Sequence, residues 1–207
     1  MTKKEEWLAG TRSAVPIMLG YVPVGIAYGV MARQAGLNTW QTVLMSLTVY
    51  GGASEMMAAG MVAQGAAVLT IVLTTFILNL RHIIMSTCVF NQMQGGRLPV
   101  RMLAAFGVTD ETFAVYTTTA NAPRTPRYFF SMALCSYLSW ALGSWLGAVA
   151  TGLLPPLITA ALGISLYAMF IGLLMPGLHG NGRLAALVVL TALCNTVLCN
   201  VVQLDSG

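Results

Sequence analysis

Residues 66–90 read AAVLTIVLTTFILNLRHIIMSTCVF, and this run decides the class of the fold. It is long enough to cross a bilayer, because about 20 apolar residues of helix span the hydrocarbon core. Arg81 is its only residue that carries a charge when histidine is neutral. A charged side chain at that depth costs about 3 kcal/mol or more, so it normally faces a partner, a cavity or a transported solute. The run therefore predicts a membrane helix with a functional residue inside it.

The composition of the whole chain predicts the same class. Of its 207 residues, 57% are hydrophobic and only 8% are charged, whereas a soluble domain carries about 25% charged residues. We expect an all-α, polytopic transmembrane helix bundle with broken helices, forming a single domain over residues 1–207 and leaving no room for a soluble catalytic domain. Apolar runs predict six or seven spans, at 13–31, 40–61, 66–90, 103–120, 129–150, 157–175 and 184–203.

The positive charges bear on membrane topology. The net charge is +4, but Lys and Arg lie at the ends of apolar runs and form no basic face, which argues against a nucleic-acid partner. Lys3, Lys4 and Arg12 precede the first run, so the positive-inside rule places residues 1–12 in the cytoplasm, before the bundle at 13–203. If all seven runs cross, Arg97 and Arg101 face the opposite side, against this bias.

Two of the runs carry features that interrupt helices. Gly51-Gly52-Ala53-Ser54 breaks run 40–61 immediately before Glu55. Transporters use unwound backbone of this kind near the bilayer midplane to hold the charged groups of a solute. Run 103–120 has Asp110 and Glu111 at its middle, so it either crosses or is re-entrant and buried in protein.

The first run predicts both helix breaks and close packing. Pro16 and Pro23 free backbone carbonyls, while Gly25 and Gly29 form the GxxxG spacing that lets helix backbones approach. Glycine is common in membrane helices because it packs. Packing alone is therefore the favoured interpretation of this GxxxG.

An internal duplication is a further hypothesis about the architecture. An offset of 116 residues pairs Tyr21 with Tyr137 and Asn79 with Asn195, which is near chance for so biased a composition. A real repeat would give two three-helix units around a linker helix at 103–120, both entering the membrane in the same direction.

Four blocks of sequence carry a resemblance to a known family. They are Val15-Pro16 with Pro23-Val24-Gly25 and Tyr28-Gly29; Gly51-Gly52-Ala53-Ser54-Glu55; Asn79-Leu80-Arg81-His82; and Thr109-Asp110-Glu111-Thr112-Phe113. Together they resemble the large subunit of the AzlC branched-chain amino acid exporters. The third and fourth blocks are the specific ones, because charged clusters at fixed separation rarely arise by composition in apolar spans. The last third of the chain is similar in hydropathy only.

This resemblance implies a function, a partner and a location. It implies export of branched-chain or similar apolar amino acids (valine, leucine, isoleucine and by extension methionine) across the bacterial inner membrane, together with a small AzlD-type membrane subunit. Two positions depart from the family pattern: Glu55 stands where glutamine is more common, and Met85 where tyrosine is common. Both departures bear on substrate choice and coupling.

An amino acid substrate needs a place for each of its two charges. Its ammonium requires a carboxylate or carbonyls, and its carboxylate requires a cation or N–H groups. Arg81 is the candidate for the carboxylate, because its planar fork can bond in a bidentate manner, and Glu55 with the nearby carbonyls is the candidate for the ammonium. The alternative is that Arg81 pairs with a carboxylate of this chain and only ties helices together. The complete substrate-binding set predicted from the sequence is Gly51, Gly52, Ser54, Glu55, Asn79 and Arg81.

Asp110, Glu111 and His82 are the candidates for proton coupling or ion pairing. Adjacent residues on a helix point about 100° apart, so Asp110 and Glu111 cannot face one partner equally. We expect one of them to pair and the other to exchange a proton, which would couple export to proton entry as an antiport. His82 either relays protons or packs through a hydrogen bond, as a lone helical histidine usually does.

Two other classes of function stay open. An intramembrane enzyme would use Glu55, Asp110, Glu111 and His82, but the sequence has no HExxH motif, no paired-aspartate motif and no nucleophile with an evident base. A noncatalytic assembly or regulatory subunit is the other alternative. A GxxxxGK[ST] phosphate loop is also missing from the sequence, so ATP hydrolysis is not expected. We predict no catalytic residue, metal site or cofactor.

Overall fold

The structure is a computed structural model that describes residues 2–120, 122–153, 155, 161, 164, 171, 175, 178 and 182–205. It divides into two compact units, 1–166 and 167–207, and each is described by itself. The first contains α1 (Lys3–Gln34), α2 (Thr39–Val49), α3 (Gly52–Ala63), α4 (Val68–Asn79), α5 (Arg81–Gln92), α6 (Leu98–Phe106), α7 (Asp110–Thr118) and α8 (Pro126–Ala150). The second contains α9 (Gly182–Asp205), which agrees with run 184–203. Run 157–175 lies almost entirely outside the described residues.

The described part is all helical, as expected for a membrane bundle. Three described stretches are long and apolar enough to cross a bilayer: Lys3–Gln34, Val68–Gln92 and Pro126–Ala150. The first begins at a capping box in which Thr2 and Glu5 satisfy each other's backbone N–H groups, and it continues without a break through Pro16 and Pro23. The third begins at the N-cap Thr125 with a proline in its first turn, where proline costs no hydrogen bond.

The helices α1 and α8 pack side by side and run parallel. At their N-terminal ends, Glu6 forms an ion pair with Arg127 at 3.8 Å, and Trp7 contacts Phe130. Further along, a Cβ added at Gly25 would lie 3.2 Å from the Cα of Gly143. Contacts therefore advance along both helices in the same direction. We call the end of the bundle that holds both helix N-termini the N-side.

Close approach of these two helices depends on glycines in both. A Cβ at Gly29 would collide with the backbone of Gly147 and its neighbours, and a Cβ at Gly147 would collide with the backbone of Ile26. The GxxxG of α1 thus meets a second GxxxG, Gly143 and Gly147, which the sequence analysis missed. The facing residues Gly25 and Gly143 are 118 positions apart, close to the offset of the internal match. The three-helix repeat itself stays a prediction, because much of its second copy lies outside the described residues.

The α4–α5 stretch crosses from the opposite side to the N-side. Its two helices are joined at Leu80 and together span 25 residues. Just beyond α5, the backbone N–H of Gln94 donates to the carbonyl of Arg124 at 2.6 Å. Arg124 immediately precedes the start of α8 on the N-side. The chain therefore begins α4 on the opposite side and ends α5 on the N-side.

The segment α6–α7 is a re-entrant hairpin that starts and ends on the N-side. Arg101 in α6 donates to the carbonyl of Met93 at 2.8 Å, which fixes the start of the hairpin beside the end of α5. Tyr116 in α7 packs on the rings of Tyr128 and Phe129 at the start of α8. The re-entrant alternative for run 103–120 is therefore confirmed. The topology with seven crossing runs does not hold here, and Arg97 and Arg101 lie on the same side as Arg124 and Arg127, in agreement with the positive-inside bias.

The segment α2–α3 is a second hairpin, and it enters from the opposite side. Tyr50, which follows α2, has φ 46° and ψ 51°, a left-handed conformation that redirects the chain before α3 begins. Gly51 then lies against Asn79 at the end of α4, so α3 and α4 run antiparallel. Met45 of α2 and Ala58 of α3 face one shared groove against α4, as a hairpin requires. The expected crossing of run 40–61 is thus replaced by a return to the side where it started. With run 103–120 also returning, at most five of the seven predicted runs cross, and the expected count of six or seven spans is wrong.

Cysteine accessibility tests this topology. In a variant with serine at the four native cysteines, we expect Gln94→Cys and Ala122→Cys to react with an impermeant maleimide from one side of oriented membrane vesicles. Gln34→Cys and Gln64→Cys should react from the other side, because α2–α3 returns to the side where α1 ends. Labelling of positions 94 and 122 from opposite sides would contradict the α6–α7 hairpin. Labelling of positions 34 and 64 from opposite sides would contradict the α2–α3 hairpin.

The glycine contact between α1 and α8 predicts a specific loss of stability. Gly147→Ala should destabilise the purified protein by about 1–3 kcal/mol, because the new methyl group collides with backbone that cannot move aside. Gly60→Ala is the matched control, since a Cβ there meets nothing within 4 Å. Thermal unfolding in detergent measures both. Equal melting temperatures for the two variants would show that the contact is not as close as described.

Candidate functional site

The tips of the two hairpins meet at the middle of the α1–α8 pair. We call residues 50–55 the α3 tip and residues 107–111 the α7 tip. Tyr21 of α1 and Trp140 of α8 lie between them, with ring centroids 5.3 Å apart and an edge-on geometry. Gly52 of the α3 tip lies under the Trp140 ring, and Thr109 of the α7 tip is hydrogen-bonded to Tyr21. Both tips are therefore held by the same aromatic pair.

The α3 tip buries a carboxylate. Glu55 is 0% exposed, and its Oε1 accepts a hydrogen bond from the Gly51 N–H at 2.9 Å. Its Oε2 accepts from the indole N–H of Trp140 at 3.3 Å. The carboxylate thus bonds the N–H of Gly51, the N-cap of α3, which has no side chain for capping. It lies at the positive end of that helix.

The carbonyl of Gly51, predicted to help bind an ammonium, is occupied in this conformation. It accepts from the Ser54 hydroxyl at 2.8 Å and from the Glu55 N–H at 2.8 Å. The predicted residues Gly51, Gly52, Ser54 and Glu55 do lie together in one short turn. Their polar groups are paired mainly with one another, so a ligand would have to displace one of these bonds or use neighbouring atoms.

The α7 tip buries a second carboxylate. Glu111 is 5% exposed and accepts a hydrogen bond from the Tyr21 hydroxyl at 2.5 Å. The same hydroxyl lies 2.7 Å from the Oγ1 of Thr109. Thr109 is also the N-cap of α7, where a capping box with Thr112 fixes the start of the helix. The local sequence Thr-Asp-Glu-Thr therefore begins a helix inside the bundle and points Glu111 at α1.

Arg81 is brought to the same level by the joint between α4 and α5. It forms an ion pair with Asp110 at 2.9 Å, and the two side chains are 37% and 28% exposed. Internal pairing, the alternative raised for Arg81, is thus present in this conformation. Of the two adjacent carboxylates, Asp110 pairs with the arginine and Glu111 binds a tyrosine. His82, next to Arg81, is half-buried.

Three buried polar atoms in this region have no hydrogen-bond partner. They are the Oδ1 of Asn79, the Nε of Arg81 and the hydroxyl of Tyr50. A buried polar group without a partner costs about 1–3 kcal/mol, so these three atoms are candidates for hydrogen bonds to a ligand. Asn79 supplies an acceptor, whereas Arg81 and Tyr50 supply donors.

Sequence reasoning missed the aromatic members of this site. Tyr21, Tyr50 and Trp140 were not among the predicted site residues, although Tyr21 and Tyr50 flank motifs that were singled out. A usable signal exists, because a buried tyrosine or tryptophan in an apolar segment needs a partner for its O–H or N–H. Two carboxylates elsewhere in the same apolar bundle are the natural partners.

The arrangement resembles the centre of a transport protein in physical terms. Irregular backbone at membrane depth is tolerated only where it is buried in protein or lines a water-filled cavity. Here two hairpin tips and the α4–α5 joint place helix ends, carboxylates and a guanidinium at one level. Discontinuous helices with this disposition form the substrate and ion sites of secondary transporters.

Comparison with known proteins places the chain in a family. The AzlC protein family matches residues 16–154. An uncharacterised membrane protein of Archaeoglobus fulgidus is 33% identical over 188 residues, which cover 90% of this chain and 82% of that protein. The inner membrane protein YgaZ of Escherichia coli is 30% identical over 179 residues, covering 82% of this chain and 72% of that one.

A further relative has a name that states a function. The branched-chain amino acid transport protein AzlC of Bacillus subtilis is 27% identical over 157 residues, which cover 72% of this chain and 61% of that protein. No solved structure matches the chain. The matched region contains both hairpins, α8 and the part of α1 from Pro16 onwards, and the chain belongs to the AzlC family of membrane proteins.

Proposed function

We propose that this protein is a permease subunit that exports branched-chain or similar apolar amino acids across the bacterial inner membrane. The observation that carries the proposal is the meeting of the two hairpin tips, which brings Glu55, Arg81, Asp110 and Glu111 to one level inside the bundle. The Bacillus relative, named as a branched-chain amino acid transport protein, supports the choice of substrate.

The charges of the site suit a zwitterion. The unpartnered Nε of Arg81 and hydroxyl of Tyr50 are donors for a carboxylate, and the Oδ1 of Asn79 is an acceptor for an ammonium. The exposed fraction of the Arg81–Asp110 pair leaves it open to competition from a substrate carboxylate. Opening that pair would free Asp110 to receive the ammonium.

The same site suits proton coupling. It contains three carboxyl groups, Glu55, Asp110 and Glu111, and one guanidinium, Arg81, so the carboxyl groups outnumber the guanidinium. An excess of carboxylates in a low dielectric is relieved by binding a proton or a cation. Because Asp110 is paired with Arg81, we assign proton exchange to Glu111 and its partner Tyr21. Export of the amino acid would then be driven by proton entry.

Orientation and partner complete the proposal. The N-side carries Lys3, Lys4, Arg97, Arg124 and Arg127, so the positive-inside rule assigns it to the cytoplasm. A small AzlD-type membrane subunit is the proposed partner, on the strength of the family resemblance. The α4–α5 stretch exposes apolar side chains such as Phe76, Ile77 and Ile84, which is compatible with contact to lipid or to another membrane subunit.

Transport by reconstituted protein tests the function. Proteoliposomes, with and without the small subunit, are loaded with labelled valine, leucine, isoleucine or methionine, and efflux is followed with and without a pH gradient. We expect efflux that depends on the gradient. Folded complex that carries none of the four amino acids would remove the transport assignment.

The Arg81–Asp110 pair also favours a second candidate, a noncatalytic assembly subunit in which the pair only ties helices together. Arg81→Ala separates the two. If the site binds substrate, we expect an intact complex with efflux reduced by at least about tenfold, since a charged hydrogen bond worth roughly 1.5–3 kcal/mol is lost. If the pair is only a tie, the complex should dissociate or unfold while the fraction that remains assembled still transports.

The role of Glu111 predicts a separation of coupling from binding. Glu111→Gln keeps the shape and can still accept a hydrogen bond from Tyr21, but it cannot exchange a proton. We expect exchange of leucine between the two sides to persist while acceleration by a pH gradient is lost. Glu6→Gln, on the N-side, is the control and should keep the gradient response. Unchanged acceleration in Glu111→Gln would assign the proton to another group.

A further inference from the structure

A groove of about 320 Å³ lies between the α2–α3 hairpin and α4. Its walls are mainly apolar, with Met45 and Val49 from α2, Ala58 from α3, and Ile71 with Thr75 from α4. Small-ligand sites range from roughly 300 to 1,000 Å³, so this groove has room for one small molecule. It lies beside the α3 tip.

Polar groups lie one helical turn beyond the apolar groove. Ile71, Thr75 and Asn79 follow one another at intervals of four residues, so they lie on one face of α4. Asn79 is the last of the three and lies against the α3 tip, where a Cβ at Gly51 would be 3.4 Å from its Oδ1. That Oδ1 has no hydrogen-bond partner. Ser54 and Glu55 of the same tip also border the groove.

We propose that this groove binds the aliphatic side chain of the transported amino acid, with the head group placed at Asn79 and Arg81. The inference rests on the proposed function and adds the position of the substrate and the residues that set its selectivity. Ala58 and Thr75 determine how large a side chain fits, and Asn79 binds the ammonium through its Oδ1.

The chemistry of the groove favours this occupant over two others. A lipid acyl chain would match the apolar walls but would leave the Oδ1 of Asn79 and the Nε of Arg81 without partners. A helix of a partner subunit would need an extended surface, whereas a volume of about 320 Å³ takes a single small group. An aliphatic zwitterion matches both the apolar walls and the polar atoms of Asn79 and Arg81 beyond them.

Changes in groove volume test the proposal through selectivity. Ala58→Leu and Thr75→Leu fill the groove, so we expect the KM for leucine and isoleucine to rise by about tenfold or more, as one methylene group can change selectivity by about 10–200-fold. The KM for alanine should change much less, because its side chain does not extend along the groove. Ala63→Leu adds the same volume at an exposed position of α3 and is the matched control.

A binding measurement separates this proposal from transport. Leucine should raise the melting temperature of the purified wild-type complex, because a ligand that binds only the folded state stabilises it. Asn79→Leu, which has a similar volume but no acceptor, should lose this shift, and Ala63→Leu should keep it. If Ala58→Leu does not fold, Thr75→Leu alone tests the effect of filling the groove, since Thr75 is less buried than Ala58.

The outcomes are distinguishable. If the wild type transports leucine but the groove variants keep the wild-type ratio of leucine to alanine, the groove assignment is overturned while the proposed function stands. The groove assignment would also be overturned if leucine still raised the melting temperature of Asn79→Leu. The same holds if the groove variants change the stability of the protein in lipid but not its KM for leucine. If the wild type neither binds nor transports any aliphatic amino acid, both proposals fail together.

Discussion

Contact between α1 and α8 is the constraint on which the rest of the structure depends. The two helices approach closely enough to contact each other through backbone only because Gly25, Gly29, Gly143 and Gly147 have no side chains. This contact places Tyr21 and Trp140 beside each other at the middle of the bundle. Each then binds one buried carboxylate, Glu111 and Glu55 respectively. A side chain at the glycine contact would move both hydrogen bonds.

The two hairpins have related designs. Each enters from one side, turns near the middle and returns. The second helix of each hairpin has an acidic residue in its first turn, where the helix dipole favours negative charge. The short helices α2, α3, α6 and α7 have 9 to 12 residues, too few to cross a bilayer alone. Backbone groups at the tips are bonded by buried side chains such as Glu55 and Thr112, which makes such breaks tolerable in a membrane.

The two hairpins enter from opposite sides, and this arrangement suggests how the central site would open to each side of the membrane in turn. Because one tip is reached from the N-side and the other from the opposite side, movement of either hairpin would open the centre to one compartment only. Tyr21 contacts both tips, through Tyr50 on one side and Glu111 on the other, and so links the two hairpins. Transporters commonly move one element against another around a fixed central site, and the rigid α1–α8 pair is suited to be the fixed part.

The sequence by itself determined the class of the protein, the breaks and the charged residues, because hydropathy, glycine pairs and intramembrane charges are properties of single segments. It identified Glu55, Arg81, Asp110 and Glu111, and it left the re-entrant alternative open for run 103–120. Only the tertiary structure decided that run 40–61 also turns back, that Arg81 pairs with Asp110, and that Tyr21 and Trp140 bind the carboxylates. The direction of a chain after a break, and the partner of a buried charge, depend on contacts between residues about 90 positions apart, as for Tyr21 and Glu111, and no local pattern records them.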